Sequence, residues 1–207
     1  MMKAVLPLAA ALLLPAVGRA APPKTDLREF QVGMPVSALP PTGYGDFACT
    51  NDPSMKLSGW GDYKTCPASP DGTHAVSFRY DAPAAGGEGD KTRVGGQPVN
   101  LALLIDNDAQ VSGLKIDTDP HARLYLHKKA YLFALEARAR FGEDGWTCRK
   151  ADPTPTEQPI GEVFINEHCE KRTDTRHFVI DRQLFRDPAK DLRDFTDATQ
   201  LTILRAQ

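Results

Sequence analysis

No apolar run in this chain is long enough to cross a membrane. The longest stretch, Ala4 to Val17, is broken by Pro7 and Pro15, whereas a span needs about 20 apolar residues. A basic excess is missing too, since 25 Lys and Arg stand against 27 Asp and Glu. That excludes the profile of a nucleic-acid binder and leaves no polybasic case for a membrane surface. Motifs of catalysis are equally scarce. There is no Gly-x-Ser-x-Gly nucleophile elbow, no C-x-x-C pair of the kind that holds zinc, and no carboxylate pair that stands out for glycosidase work.

What is present begins with a secretory leader. Lys3 supplies positive charge, Ala4 to Val17 the short apolar stretch, and Gly18-Arg19-Ala20 a small-residue cleavage site before Ala21. Residues 1–20 are therefore expected to be removed, which leaves 23 basic and 27 acidic residues, a formal net charge of −4. No cysteine stands directly after the cleavage point, the next being Cys49, so a lipid anchor is not expected, and the expected location is periplasmic or secreted. Residues 21–207 fit one domain, built of two pseudo-repeats at about 27–119 and 120–207.

Four cysteines behind a leader predict two disulfides, for which three pairings exist. A repeat chooses among them. Phe47-Ala48-Cys49 is followed by Cys66, Asp71, His74 and Val76; Trp146-Thr147-Cys148 is followed by Cys169, Asp174, His177 and Val179. The spacing Cys-x4-Asp-x2-His-x-Val is identical in both copies. It favours the local pairs Cys49–Cys66 and Cys148–Cys169, each closing a loop worth about 3 kcal/mol.

Hydrophobic patterning predicts an α+β fold, an antiparallel sheet with helices on one face. Pro35 starts a short helix that Pro40-Pro41 stops. Gly43–Thr50 and His74–Tyr80 read as strands, Asn51–Gly61 as a loop and Asp62–Cys66 as a short extended piece. Val99–Asp106 and Gln110–Asp117 form the clearest hairpin. A helix is predicted over His121–Phe141, with Leu126, Ala130, Phe133, Ala137 and Phe141 on one apolar face. Trp146–Arg149, Gly161–Glu170, Arg176–Phe185 and Gln200–Arg205 complete the strands. Residues 82–98, rich in Gly, Ala and Pro, read as a flexible loop.

Asp71/His74 and Asp174/His177 resemble general-base pairs, but Asp is favoured in turns for its own backbone hydrogen bonds, and repetition itself points to architecture. His121 and His127 lie six apart, a spacing that does not put both on one helix face for a metal. His168 alternates to the strand face opposite Cys169. Asp106-Asn107-Asp108 resembles the start of a calcium loop, yet Val111 stands where glycine is required, and a hairpin turn is preferred. No metal or other cofactor is expected. The loop closed by Cys49 and Cys66 is the candidate binding surface, with Met55, Lys56, Trp60 and Tyr63 as contacts and the two aromatics as anchors; the alternative is that Trp60 covers the sheet edge.

Phe30 to Pro35 leading into a short helix, together with the Cys49/Cys66 and Cys148/Cys169 pairs, resembles secreted proteins of the β-lactamase-inhibitor type. The layout is also similar, more distantly, to small outer-membrane assembly lipoproteins. That resemblance implies a tandem-repeat fold with one disulfide per half. The function expected is a non-enzymatic, inhibitor- or immunity-type protein binder with a protein partner, no nucleic acid and no stable membrane anchor. An envelope accessory subunit is the alternative, and an unrecognised hydrolase stands third.

Overall fold

A computed structural model describes residues 25–81, 92–127, 129–191 and 193–206; the leader and most of the 82–98 segment lie outside the described residues. Among the described residues ten strands occur: β1 Tyr44–Cys49, β2 Asp52–Lys56, β3 His74–Tyr80, β4 Arg93–Val94, β5 Gln97–Ile105, β6 Val111–Thr118, β7 Thr147–Lys150, β8 Ile165–Arg172, β9 Arg176–Arg186 and β10 Phe195–Arg205. They order as β2-β1-β3-β5-β6-β10-β9-β8-β7, with β4 pairing β5 from the side. Every pairing is antiparallel. Among the described residues no helix is long and apolar enough to cross a membrane.

Strand alternation sorts the side chains into two faces. Val76, Leu103, Leu114, Ile203 and Phe178 form one cross-strand row, and Phe78, Leu101, Ile116, Leu201 and Ile180 form the next. All ten are buried. Leu27, Phe30, Trp60, Phe133 and Ala137 join the same cluster. Asp26 ties the chain's beginning to β9: its carboxylate accepts Nε of Arg176 at 3.0 and 3.1 Å and the amide of Val32 at 2.6 Å.

Both expected disulfides are present, Cys49–Cys66 and Cys148–Cys169. The hairpin of β5 and β6 turns at Asp106, whose carboxylate accepts the amides of Asp108 and Gln110, so the calcium-like stretch is a turn. Three local expectations need correction. The helix after Pro35 is a single 3-10 turn, Val36–Ala38. Residues expected as loop include β2, an edge strand where Pro53 is tolerated because no partner needs its missing amide. The piece expected to be extended, Asp62–Cys66, instead lies mostly within a 3-10 turn, Trp60–Thr65.

The expected helix over His121–Phe141 is shorter and compound: α1 Leu124–His127, a 3-10 turn at Ala130–Leu132, and α2 Phe133–Phe141. The predicted face holds where it matters, with Ala130, Phe133 and Ala137 buried. The irregularity has a cause in β10. Thr199 donates its hydroxyl to the Ala130 carbonyl at 3.0 Å, and the buried Asp197 carboxylate faces the amides of Ala130 and Tyr131 without closing a hydrogen bond to either.

Burial pushes the Asp197 carboxyl up to about 7 from an ordinary 3.8. The folded state thus holds this proton more tightly than the unfolded chain. Its contribution to stability is full below about pH 4 and is lost as pH rises through about 7. Asp197→Asn is expected to remove that decline and to be more stable than the parent by about 1 kcal/mol or more at pH 8, with no such gain at pH 4. Urea unfolding at the two pH values checks this.

Candidate functional site

The face opposite the core carries the chemistry. Cross-strand register aligns Arg149, His168, Asp181, Gln200, Asp117 and Asn100 in one row over β7, β8, β9, β10, β6 and β5. A second row runs Thr147, Glu170, Val179, Thr202, Lys115 and Ala102 beside it. The strands hold these groups because period-2 alternation turns alternate side chains away from the core; Ala102 is a buried member of the rows.

His168 is the hub. Its Nδ1 lies 2.6 Å from Asp181 Oδ1 and its Nε2 3.0 Å from Glu170 Oε1. The other oxygen of Glu170 reaches Nε2 of His177 at 3.0 Å, and Arg149 and Arg172 approach Glu170 at 3.8 and 3.6 Å. Hydrogen bonds to Glu170 and then Asp181 raise the His168 pKa, and hydrogen bonds from His168 and His177 lower that of Glu170. The His168 contribution to stability is therefore present below about pH 6.5 and fades as pH rises through its elevated pKa. In the same row Asp117 is half-buried. Desolvation raises its pKa against the opposing pull of Gln200 and Lys115, and its Oδ1 has no hydrogen-bond partner.

This network is poorly suited to catalysis. Both ring nitrogens of His168 are engaged by carboxylates, which leaves neither free to take a substrate proton. What the arrangement offers is a fixed, mixed-charge surface. The one cluster with metal-like spacing among the described residues is Cys148, Glu167 and Cys169. Its sulfurs form a disulfide and Glu167 binds Arg182 at 2.9 Å, whereas zinc takes thiolates.

The sequence-derived candidates fall elsewhere. Trp60 and Tyr63 are buried, 8% and 5% exposed. The expectation of exposed aromatic anchors on that loop is corrected: Trp60 packs edge-on against Phe30, Phe47 and Phe78 and donates Nε1 to the Pro40 carbonyl. Met55 packs partly against the core, and Lys56 is exposed on β2. Asp71 bonds Thr73 and does not reach His74, whose Nδ1 lies 2.7 Å from the Cys66 carbonyl. His177 pairs with Glu170 and not with Asp174. His127 stacks on Phe195. His168 faces away from Cys169 as expected, while its partners Glu170 and Asp181 lie outside every motif of the sequence. The signal was available: with the turn at Thr173–Thr175, hairpin register places Asp181 opposite His168.

Comparison of the chain with protein-family models, curated proteins and solved structures finds no match.

Proposed function

We propose that this chain is a non-enzymatic protein-binding module of an oxidising, extracytoplasmic compartment, inhibitor- or immunity-type in its action. It meets its protein partner with the polar face of its sheet. The observation that carries this reading is the row from Arg149 to Asn100, crossing six strands and hence about 24 Å. A hydrogen-bonded strand array keeps those side chains in place before a partner arrives, so little ordering entropy is lost on binding. Charges of both signs in fixed positions select a partner with the complementary pattern. Two disulfides fit an oxidising compartment, and residues 1–20 fit a removed leader.

The same reading takes the fold as duplicated in the manner of the β-lactamase-inhibitor type. The order β1-β3-β5-β6 meets β10-β9-β8-β7 at the β6/β10 pairing, with one disulfide in each set. By place in the sheet β1 then matches β7 and β6 matches β10, whereas the cysteine repeat aligns His74 of β3 with His177 of β9.

The test is affinity capture from the native envelope fraction, using the wild-type chain and a Gln183→Arg/Thr202→Arg variant. Both positions lie on the polar face outside the His168 network. The partner held by wild type is expected to bind the variant about tenfold more weakly or worse, at an unchanged melting temperature. Equal affinity would remove the polar face from the interaction.

A further inference from the structure

On the core side of the sheet, the face opposite the polar row, a cleft of about 480 Å³ opens between residues 25–28, β4 and α2. Ile116, Phe133, Ala137 and Leu201, all buried, make its floor. The lining also carries three guanidiniums, and among the described residues none of them forms an ion pair. Arg28 lies over the Tyr80 ring at 3.6 Å, Arg93 donates to the Gly96 carbonyl at 3.2 Å and Arg140 to the Thr25 carbonyl at 3.2 Å. The acids nearby offset this charge only in part, Glu29 through its attraction to Arg28. Asp26 is bound by Arg176, and Glu29 accepts the Tyr44 hydroxyl. Glu136 lines the cleft beside Gly95 with its pKa raised by desolvation. A further polar atom, the Tyr80 hydroxyl, is buried without a hydrogen-bond partner among the described residues.

An apolar floor under a surplus of positive charge suits an amphipathic anion. We infer that the cleft is a binding site for a long-chain carboxylate. The acyl chain lies on Ile116, Phe133 and Leu201, and the carboxylate is held by the guanidiniums of Arg28, Arg93 and Arg140. The volume falls within the roughly 300–1,000 Å³ typical of small-molecule sites, and the planar guanidinium matches a carboxylate in two-point geometry. A dianionic phosphate head fits less well, because Glu136 shares the lining. This site does not depend on the polar face or on the protein partner.

Calorimetric titration of the disulfide-bonded protein with dodecanoate, below its micellar concentration, tests the inference. Saturable one-to-one binding is expected, about tenfold or more tighter than dodecan-1-ol, with no binding of acetate. Arg28→Glu/Arg140→Glu is expected to weaken dodecanoate binding about tenfold or more. Glu136→Gln is expected to tighten it by removing a competing carboxylate, a gain that misfolding cannot produce. Absence of saturable binding overturns the inference. So do equal affinity for dodecan-1-ol, an unaltered affinity in the double arginine variant, or no gain in Glu136→Gln.

Discussion

Trp60→Ala is expected to destabilise the protein by about 3–5 kcal/mol, the range for truncating a buried aromatic. Trp60 is the hub of a ring cluster, with centroids 5.6 Å from Phe30, 4.5 Å from Phe47, 5.0 Å from Phe78 and 6.0 Å from Tyr44. It stands on a short 3-10 turn whose following residue, Cys66, is covalently fixed to β1, so the surroundings have little freedom to collapse into the space. The Pro40 carbonyl, which accepts the indole N–H at 2.9 Å, also loses its donor. Denaturant unfolding of the two proteins measures the difference; a loss under 1 kcal/mol would show that the indole is not part of the core as described.

Cys49→Ala/Cys66→Ala is expected to cost about 3 kcal/mol, which for a chain of this size lowers the melting temperature by about 6–12 °C. Both sulfurs are buried, and the bridge closes a span of 17 residues that includes β2 and the Trp60 turn. The Cys148–Cys169 bridge is differently placed. It joins β7, an edge strand exposed along its length, to β8. Its removal is expected to release β7 locally and to cost less in global unfolding. Thermal melts of the two double variants, read beside hydrogen exchange of β7, separate the cases. Equal losses with β7 still protected would contradict this difference.

The parts of the fold legible in the sequence are those where a local signal coincides with burial. Alternation in Val99–Ile105 and Val111–Ile116 marks the central hairpin, and the spacing of Ala130, Phe133 and Ala137 marks the face that joins the core. The disulfide pairing followed from the repeat. The same repeat misleads about faces. In its first copy Cys66 lies outside the sheet and His74 and Val76 point into the core; in its second Cys169 sits within β8, and His177 and Val179 point away. A one-residue change of parity turns every following side chain to the other face, and identical spacing does not reveal it. Trp60 read as an exposed anchor because its Gly-rich neighbours suggest a loop, while the rings that bury it come from residues 30, 44, 47 and 78. The polar row was hidden for a related reason: its members come from six strands, and the alignment exists only once β6 pairs with β10.

Site-specific photocrosslinking tests the central claim most directly. A benzoylphenylalanine is placed either at Thr202, on the polar face, or at Leu135, exposed on α2, and each protein is irradiated in its native envelope fraction. The account predicts a discrete protein adduct from Thr202 and none from Leu135. An adduct from Leu135 with none from Thr202 would contradict it.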